Sequence, residues 1–273
     1  MNKKLNPSPL PLPQGERTKV RVKNRFIKID AENIHYRVLN EKVHHFINRG
    51  YNNILLENVC GQRYIADGLN GNNTKISIKG IPGNDLGAFM DGPEIIVKGN
   101  VQDAVGNTMN SGQIVVYGNA GDIVGYSMRG GRIFINGDAG YRVGIHMKSY
   151  ENMFPVVIIG GSARDFLGEY MAGGLLVVLG LDTETDKTSP IVGDFIGTGM
   201  HGGNIFIRGT IDERCLGKEV KISSLTDEDY NLLKKHLSDY CKYFKLTLNK
   251  ILKKDFIKLY PYTHRPYGRL YAY

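Results

Sequence analysis

The apolar positions of this chain arrive in short bursts that return at a fixed interval. Lys75-Ile-Ser-Ile, Glu94-Ile-Ile-Val, Gln113-Ile-Val-Val, Arg132-Ile-Phe-Ile, Leu175-Leu-Val-Val and Asn204-Ile-Phe-Ile are each closed by one residue and a glycine. Short alternating apolar stretches bounded by turn residues predict β-strands of about five residues. The closing glycines set the interval: Gly80, Gly99, Gly118 and Gly137 are 19 residues apart, as are Gly161 and Gly180. Within a unit the offsets 7, 3, 3 and 6 recur, through Gly99, Gly106, Met109, Gly112 and Gly118, then Gly118, Gly125, Met128, Gly131 and Gly137. The same register runs back through Gly80, Gly87, Met90 and Pro93 to a degenerate first unit with Gly61, Gly68, Gly71 and Thr74. Forward, it is held by Gly144 and Met147, by Gly168, Met171 and Gly174, and by Gly197, Met200 and Gly203. Two units are longer, by five residues around Lys148 to Pro155 and by ten around Leu181 to Val192, so seven units span Gly61 to Gly209.

A strand that returns every 19 residues, with turns too short for crossover helices, can pair only with its own copy in the next turn. The expected fold is an all-β, single-stranded, right-handed parallel β-helix of about seven coils. At a strand spacing of ~4.8 Å the rod is on the order of 30 Å long. Six of the eight methionines, at 90, 109, 128, 147, 171 and 200, share one repeat position and should form an internal column. The longer units should loop outward, because a stacked core cannot absorb extra residues.

Open β-helix ends invite edge pairing unless something covers them. Asp30 can cap a helix to about Arg49 with Ile34, Val38, Val43, Phe46 and Ile47 on one face and Gly50 as the stop. Thr226 starts a second helix with Leu232, Leu233, Leu237, Tyr240 and Phe244 inward, followed by a tyrosine-rich extended tail from Phe256. The organisation expected is a Pro-rich disordered segment at 1–22, an N-terminal strand and helix cap at 23–57, the β-helix at 58–217, and the C-terminal helix and tail at 218–273.

Composition sharpens this picture. Of the 34 glycines, 30 lie between Gly61 and Gly209, the stretch that carries the repeat. The net charge of +8 divides into +6 for residues 1–60, −3 for 61–209 and +5 for 210–273, so the repeat body is mildly acidic and offers no basic nucleic-acid face. Arg17, Lys19, Arg21, Lys23 and Arg25 alternate at strand spacing and read as a solvated edge. No apolar run approaches the ~20 residues of a membrane span, and no secretory leader is visible, which predicts a soluble cytoplasmic protein. Cys60, Cys215 and Cys241 are too scattered for a disulfide framework or a zinc site.

Candidate chemistry is sparse. Gly197-Thr-Gly-Met-His-Gly202 satisfies the dinucleotide fingerprint GxGxxG, but a strand follows it where that motif needs a helix N-terminus. Histidines 35, 44, 45, 146, 201, 236 and 264 are spread over the chain; His146 and His201 flank the methionine column and read as polar turn residues. Asp85, Asp103, Asp122, Asp138, Asp165 and Asp194 recur near the coil starts, and capping of turns explains them better than paired-carboxylate catalysis. Cys60 reads as a buried structural thiol.

Residues 168–180, Gly-Glu-Tyr-Met-Ala-Gly-Gly-Leu-Leu-Val-Val-Leu-Gly, and the recurring Gly-x-x-Met-x-Gly-Gly core resemble the GXGXG domain at the C-terminus of the glutamate synthase large subunit. Arg63-Tyr-Ile-Ala-Asp-Gly-Leu-Asn-Gly71 is similar to the entry into that β-helix. One of the subunits of formylmethanofuran dehydrogenase shares the motif and architecture. In glutamate synthase a separate domain supplies an N-terminal cysteine nucleophile and a barrel binds FMN and an iron–sulfur cluster; here the second residue is Asn2 and no cysteine cluster exists. The resemblance therefore implies a free-standing, non-catalytic scaffold for glutaminase-type and FMN-binding synthase chains, with a homo-oligomer also open. It implies no catalytic, cofactor or metal residue in this chain, FMN and iron–sulfur belonging to a partner. The alternatives are a scaffold for a formylmethanofuran dehydrogenase-like oxidoreductase and an independent β-helix enzyme.

Overall fold

The structure, a computed structural model, describes residues 24–181 and 190–262. The expected disorder at 1–22 and the last part of the tyrosine-rich tail, 263–273, lie outside the described residues. In chain order the elements are β1 (Phe26–Asp30), α1 (Tyr36–Asn48), β2 (Asn53–Cys60), β3 (Lys75–Ile81), β4 (Asp91–Val97), β5 (Ser111–Val116), β6 (Arg132–Ile135) and β7 (Val156–Ile159). There follow β8 (Ala172–Val178), β9 (Gly202–Arg208), β10 (Val220–Ser224), α2 (Asp227–Phe244), α3 (Leu248–Ile251) and β11 (Phe256–Pro261).

Strands β1 to β9 pair in sequence order and in parallel, as a β-helix requires. The register follows the repeat: Ile76, Ile95, Ile114, Ile133, Val157, Leu176 and Ile205 lie side by side. The strands of the seven units are therefore all present as β3 to β9, with six full turns between first and last, and β1 and β2 extend the stack upstream. The five-residue excess of the fifth unit leaves this ladder undisturbed, because residues 149–154 turn outward through a Tyr150–Met153 bridge.

The six repeat methionines are at most 1% exposed and line the lumen with the inward strand residues. The first coil departs from the expected alignment. Asp91 N–H donates to the Leu69 carbonyl and Gly68 N–H to the Ala88 carbonyl, so Leu69, not Gly71, opens the methionine column, and the spacing to Met90 is 21 residues.

The coil corners explain the remaining periodic residues. Asp122 N–H donates to Asp103 Oδ1 and Tyr141 N–H to Asp122 Oδ1, both at 2.9 Å. A second ladder runs beside it, Asn119 N–H to Asn100 Oδ1 at 2.9 Å, Asp138 N–H to Asn119 Oδ1 at 3.0 Å and Ser162 N–H to Asp138 Oδ1 at 2.7 Å. Each side chain caps a donor one coil away, the Asx-type role expected of these acids. Their space is made by glycine: a Cβ at Gly137 would lie 1.9 Å from Asn119 Oδ1. Gly106 is needed twice over, since it sits at φ +69° and a Cβ there would lie 2.4 Å from Ile133 Cδ1.

The two longer helices, α1 and α2, play different parts. Asp30 does not cap α1; it ends β1, and its Oδ1 accepts from Glu32 N–H and Asn58 Nδ2. The helix starts at Tyr36 after His35, ends with Gly50 at φ +83°, and buries Leu39 and Val43 in the lumen cluster at the N-terminal end. The second helix begins where expected, with Thr226 and Asp229 forming a reciprocal capping box. It lies along the flank of the rod: Leu233, Leu237 and Tyr240 pack on Val115, Phe134, Ile158, Val177 and Phe206, the outward residues of β5 to β9. The C-terminal end is closed instead by the β10–β11 pair. Part of the expected tail, Phe256–Pro261, is strand β11, inserted antiparallel between β9 and β10, with Val220 and Leu259 reaching the lumen cluster. No helix among the described residues is long and apolar enough to cross a membrane.

Candidate docking surface

The turn that precedes each methionine holds left-handed residues at alternate positions. In the third unit these are Ala104 at φ +60°, Gly106 at +69° and Thr108 at +53°; in the fourth, Ile123, Gly125 and Ser127 at +51°, +71° and +51°. β-Branched residues rarely adopt this conformation. It is held by inter-coil bonds that leave in both directions: Ile123 N–H donates to the Tyr141 carbonyl ahead and Gly125 N–H to the Val105 carbonyl behind, both at 2.8 Å. Because the turn reverses handedness at every residue, the flanking side chains point out of the rod while the methionine points in.

On the later coils those outward positions are aromatic and stack from coil to coil. His146 lies against Tyr170 with ring centroids 5.2 Å apart and planes within 9°, and meets Tyr126 edge-on at 6.0 Å. Tyr170 in turn covers Gly199, where a Cβ would lie 2.4 Å from its ring. A parallel row begins with the Arg142 guanidinium 4.5 Å over the Phe166 ring, which stacks on Phe195 at 5.0 Å and 13°. The rows are tied by the ion pair between Arg142 and the buried carboxylate of Glu169. Phe195 remains 54% exposed, and Tyr126, Tyr141 and Tyr170 are also exposed. Exposed tyrosines, phenylalanines and an arginine, already fixed by neighbours, are the composition and the preorganisation of a protein-binding hot spot.

Gly87, Gly106, Gly125, Gly144, Gly168 and Gly197 occupy the left-handed turn, Gly112, Gly131, Gly174 and Gly203 the strand entries, all at positive φ. Histidines 146 and 201 are not brought together as ligands: His146 joins the aromatic row, and His201 Nδ1 lies 3.2 Å from the Gly199 carbonyl. No group of three or more His, Cys, Asp or Glu able to hold a metal ion occurs among the described residues. Cys60 is exposed at the end of β2, contrary to the buried thiol expected, because the strand turns it to the outer face; Cys241 is the buried one. The GxGxxG stretch leads into β9, as expected, and offers no helix N-terminus to a pyrophosphate.

The family profile described as the GXGXG motif matches residues 30–262. An uncharacterized protein of Methanocaldococcus jannaschii is 50% identical over 251 residues, 90% of this chain and 96% of that protein. Among solved structures, a chain of the formyltransferase/hydrolase complex of Methylorubrum extorquens, in complex with methylofuran, superposes with a TM-score of 0.54 at 18% identity. That match covers 84% of this chain and 88% of the other.

Proposed function

This chain belongs to the GXGXG-motif family, and from that premise we propose that it is a non-catalytic scaffold subunit of a multi-chain oxidoreductase complex. The observation that carries the reading is the aromatic corner, a rigid surface of Tyr126, His146, Phe166, Tyr170 and Phe195 built on backbone that the coil stack holds in place. Rings already ordered in the free chain lose little freedom when a partner covers them.

Within that class the reading we favour is a split glutamate synthase-like complex in the cytoplasm, converting glutamine and 2-oxoglutarate to glutamate. The stretch Gly168-Glu-Tyr-Met-Ala-Gly-Gly174 and the entry segment Arg63 to Gly71 support it through their resemblance to the synthase domain. The partners would be a glutaminase-type chain and a synthase chain carrying FMN and iron–sulfur, with this chain holding no cofactor. A second reading, a scaffold in a formylmethanofuran dehydrogenase-like assembly, is favoured by the fold match to a chain of the Methylorubrum extorquens complex.

Affinity purification of the tagged full chain from its native host tests these readings, with mass spectrometry and a visible spectrum of the eluate. Co-elution with a glutaminase-type chain and a flavin-coloured chain is the expected result. Co-elution with formyltransferase or hydrolase chains moves the protein to the second reading. A colourless, partner-free chain refutes the scaffold role.

A further inference from the structure

Strand β1 is the first of the sheet and pairs on one side only, with β2. The Arg25 carbonyl accepts from Asn53 N–H, and Ala31 N–H donates to the Glu57 carbonyl, so the odd-numbered residues turn their backbone groups to β2. Alternation turns the N–H and C=O of Phe26, Lys28 and Asp30 the other way, where no strand meets them among the described residues. An open edge of this kind is a template for another strand. Beside it a groove of about 630 Å³ lies between β1 and α1, with Ile29, Val38 and Phe46 as its apolar lining. Phe26 is 61% exposed and Val38 44%, so α1 closes the lumen and leaves apolar surface along the edge.

The side chains of the edge select the strand that fits it. Lys28 and Lys79 share the single carboxylate of Glu57. Asp30 Oδ1 accepts from two neutral donors, Glu32 N–H and Asn58 Nδ2, and Asp30 forms no ion pair among the described residues. An edge lysine alone repels a second copy of itself, whereas a lysine and an aspartate at alternate positions complement an antiparallel copy. Centred on Lys28, two antiparallel β1 strands would set that lysine against its own copy. Centred on Ile29, they set each Lys28 opposite the other copy's Asp30, and the outward N–H and C=O of both residues are used.

We propose that the free edge of β1 docks a second copy of this chain, antiparallel about a two-fold axis at Ile29, joining the two sheets into one. An axis perpendicular to the sheet carries both α1 helices to the same side, so the two grooves, each with its exposed Val38, face one another across the joint. The contact is isologous and closes at two copies; pairing of β1 with β10, the strand at the other edge of the sheet, would be head-to-tail and would not close. It lies at the first coil, away from the aromatic corner on the later coils, and is independent of the scaffold reading.

Sedimentation equilibrium of the full chain over a concentration series is the test, and a monomer–dimer equilibrium is expected. Lys28→Glu, which sets acid opposite acid, should raise the dimer Kd at least tenfold. Adding Asp30→Lys should bring it back to within threefold of the parent, a reversal that damage to the fold cannot produce. Lys28→Pro removes an outward N–H and none of the bonds to β2, so it should leave a folded monomer, and it carries the test should the double variant fail to fold. A chain that is monomeric at every concentration overturns the proposal. So does a dimer that both Lys28→Glu and Lys28→Pro keep, or an open-ended series of oligomers.

Discussion

On the outer face of the sheet, one register position reads Ser77 in β3 and Ile96 in β4, then Val115, Phe134, Ile158, Val177 and Phe206 in β5 to β9. On the lumen face the neighbouring position is Ile, Val or Leu throughout. The lumen is closed by the coil itself, so its demand never changes. The outer face answers to whatever covers it: water over β3, where burial alternates, and α2 over β5 to β9, where the strands are buried on both faces. One repeat thus carries two independent cores, and they should respond differently to the same insult.

The largest contrast is between equivalent outer positions. Phe134→Ala, fully buried beneath Tyr240, should cost about 3–5 kcal/mol, whereas Ser77→Ala should stay within about 0.5 kcal/mol, read from urea unfolding. Comparable losses for the pair would erase the distinction. The lumen should show no such polarity: Met109→Ala and Met171→Ala are each expected to cost about 2–5 kcal/mol, and alike. A twofold difference between them would mean that the lumen, too, depends on its cover.

Acid should then separate the flanks. His236, buried on α2 against Phe154, is held below its usual 6.5 by burial first and then by Lys235 and Arg132. The unfolded chain therefore binds more protons just below that value, and stability falls as pH drops through 6.5 towards the folded value. Burial pushes the Asp229 carboxyl up, but Lys258 and the Thr226 cap outweigh it and hold it below 3.8, so a second loss begins only near that pH. Hydrogen exchange should show α2 opening from pH 6.5 downward while β2 to β4 stay protected, and His236→Gln should flatten the upper step. A smaller effect, about 1 kcal/mol, is expected for Asp122→Ala, which uncaps Tyr141 N–H at a corner common to both regions. The smallest effect on folding is Phe195→Ala, within about 0.5 kcal/mol, yet it should abolish partner capture in the affinity experiment.

Much of this is readable from the chain alone, for a physical reason. A glycine that must admit an Asx oxygen tolerates no Cβ, and six coils in succession fill one lumen position with methionine, so the 19-residue period surfaces in residue identities. The flank is harder to read. Its signal is present in the loss of alternation from Ile-Ser-Ile at 76–78 to Ile-Phe-Ile at 133–135, but a strand buried on both faces does not name what buries it. Strand β11 is hidden because Phe256–Pro261 borrows its partner, β9, from across the whole of α2. Asp30 mimics a helix cap, since an acid before a helix and an acid ending a strand look the same when both bind nearby N–H groups. The aromatic corner does carry a signal at a fixed offset, since His146 and Tyr170 each stand immediately before a repeat methionine.

The Asx ladders also give the rod a direction in time. In each rung the capped N–H belongs to the later coil and the accepting oxygen to the earlier one, as in Asp103 to Asp122 to Tyr141. A chain leaving the ribosome N-terminus first would present every new coil with acceptors already in place, beneath a lumen that α1 has already closed. Growth from the opposite end would leave each coil waiting for its caps. The same polarity means that a chain interrupted at a coil boundary ends on a row of side-chain oxygens that face the direction of synthesis.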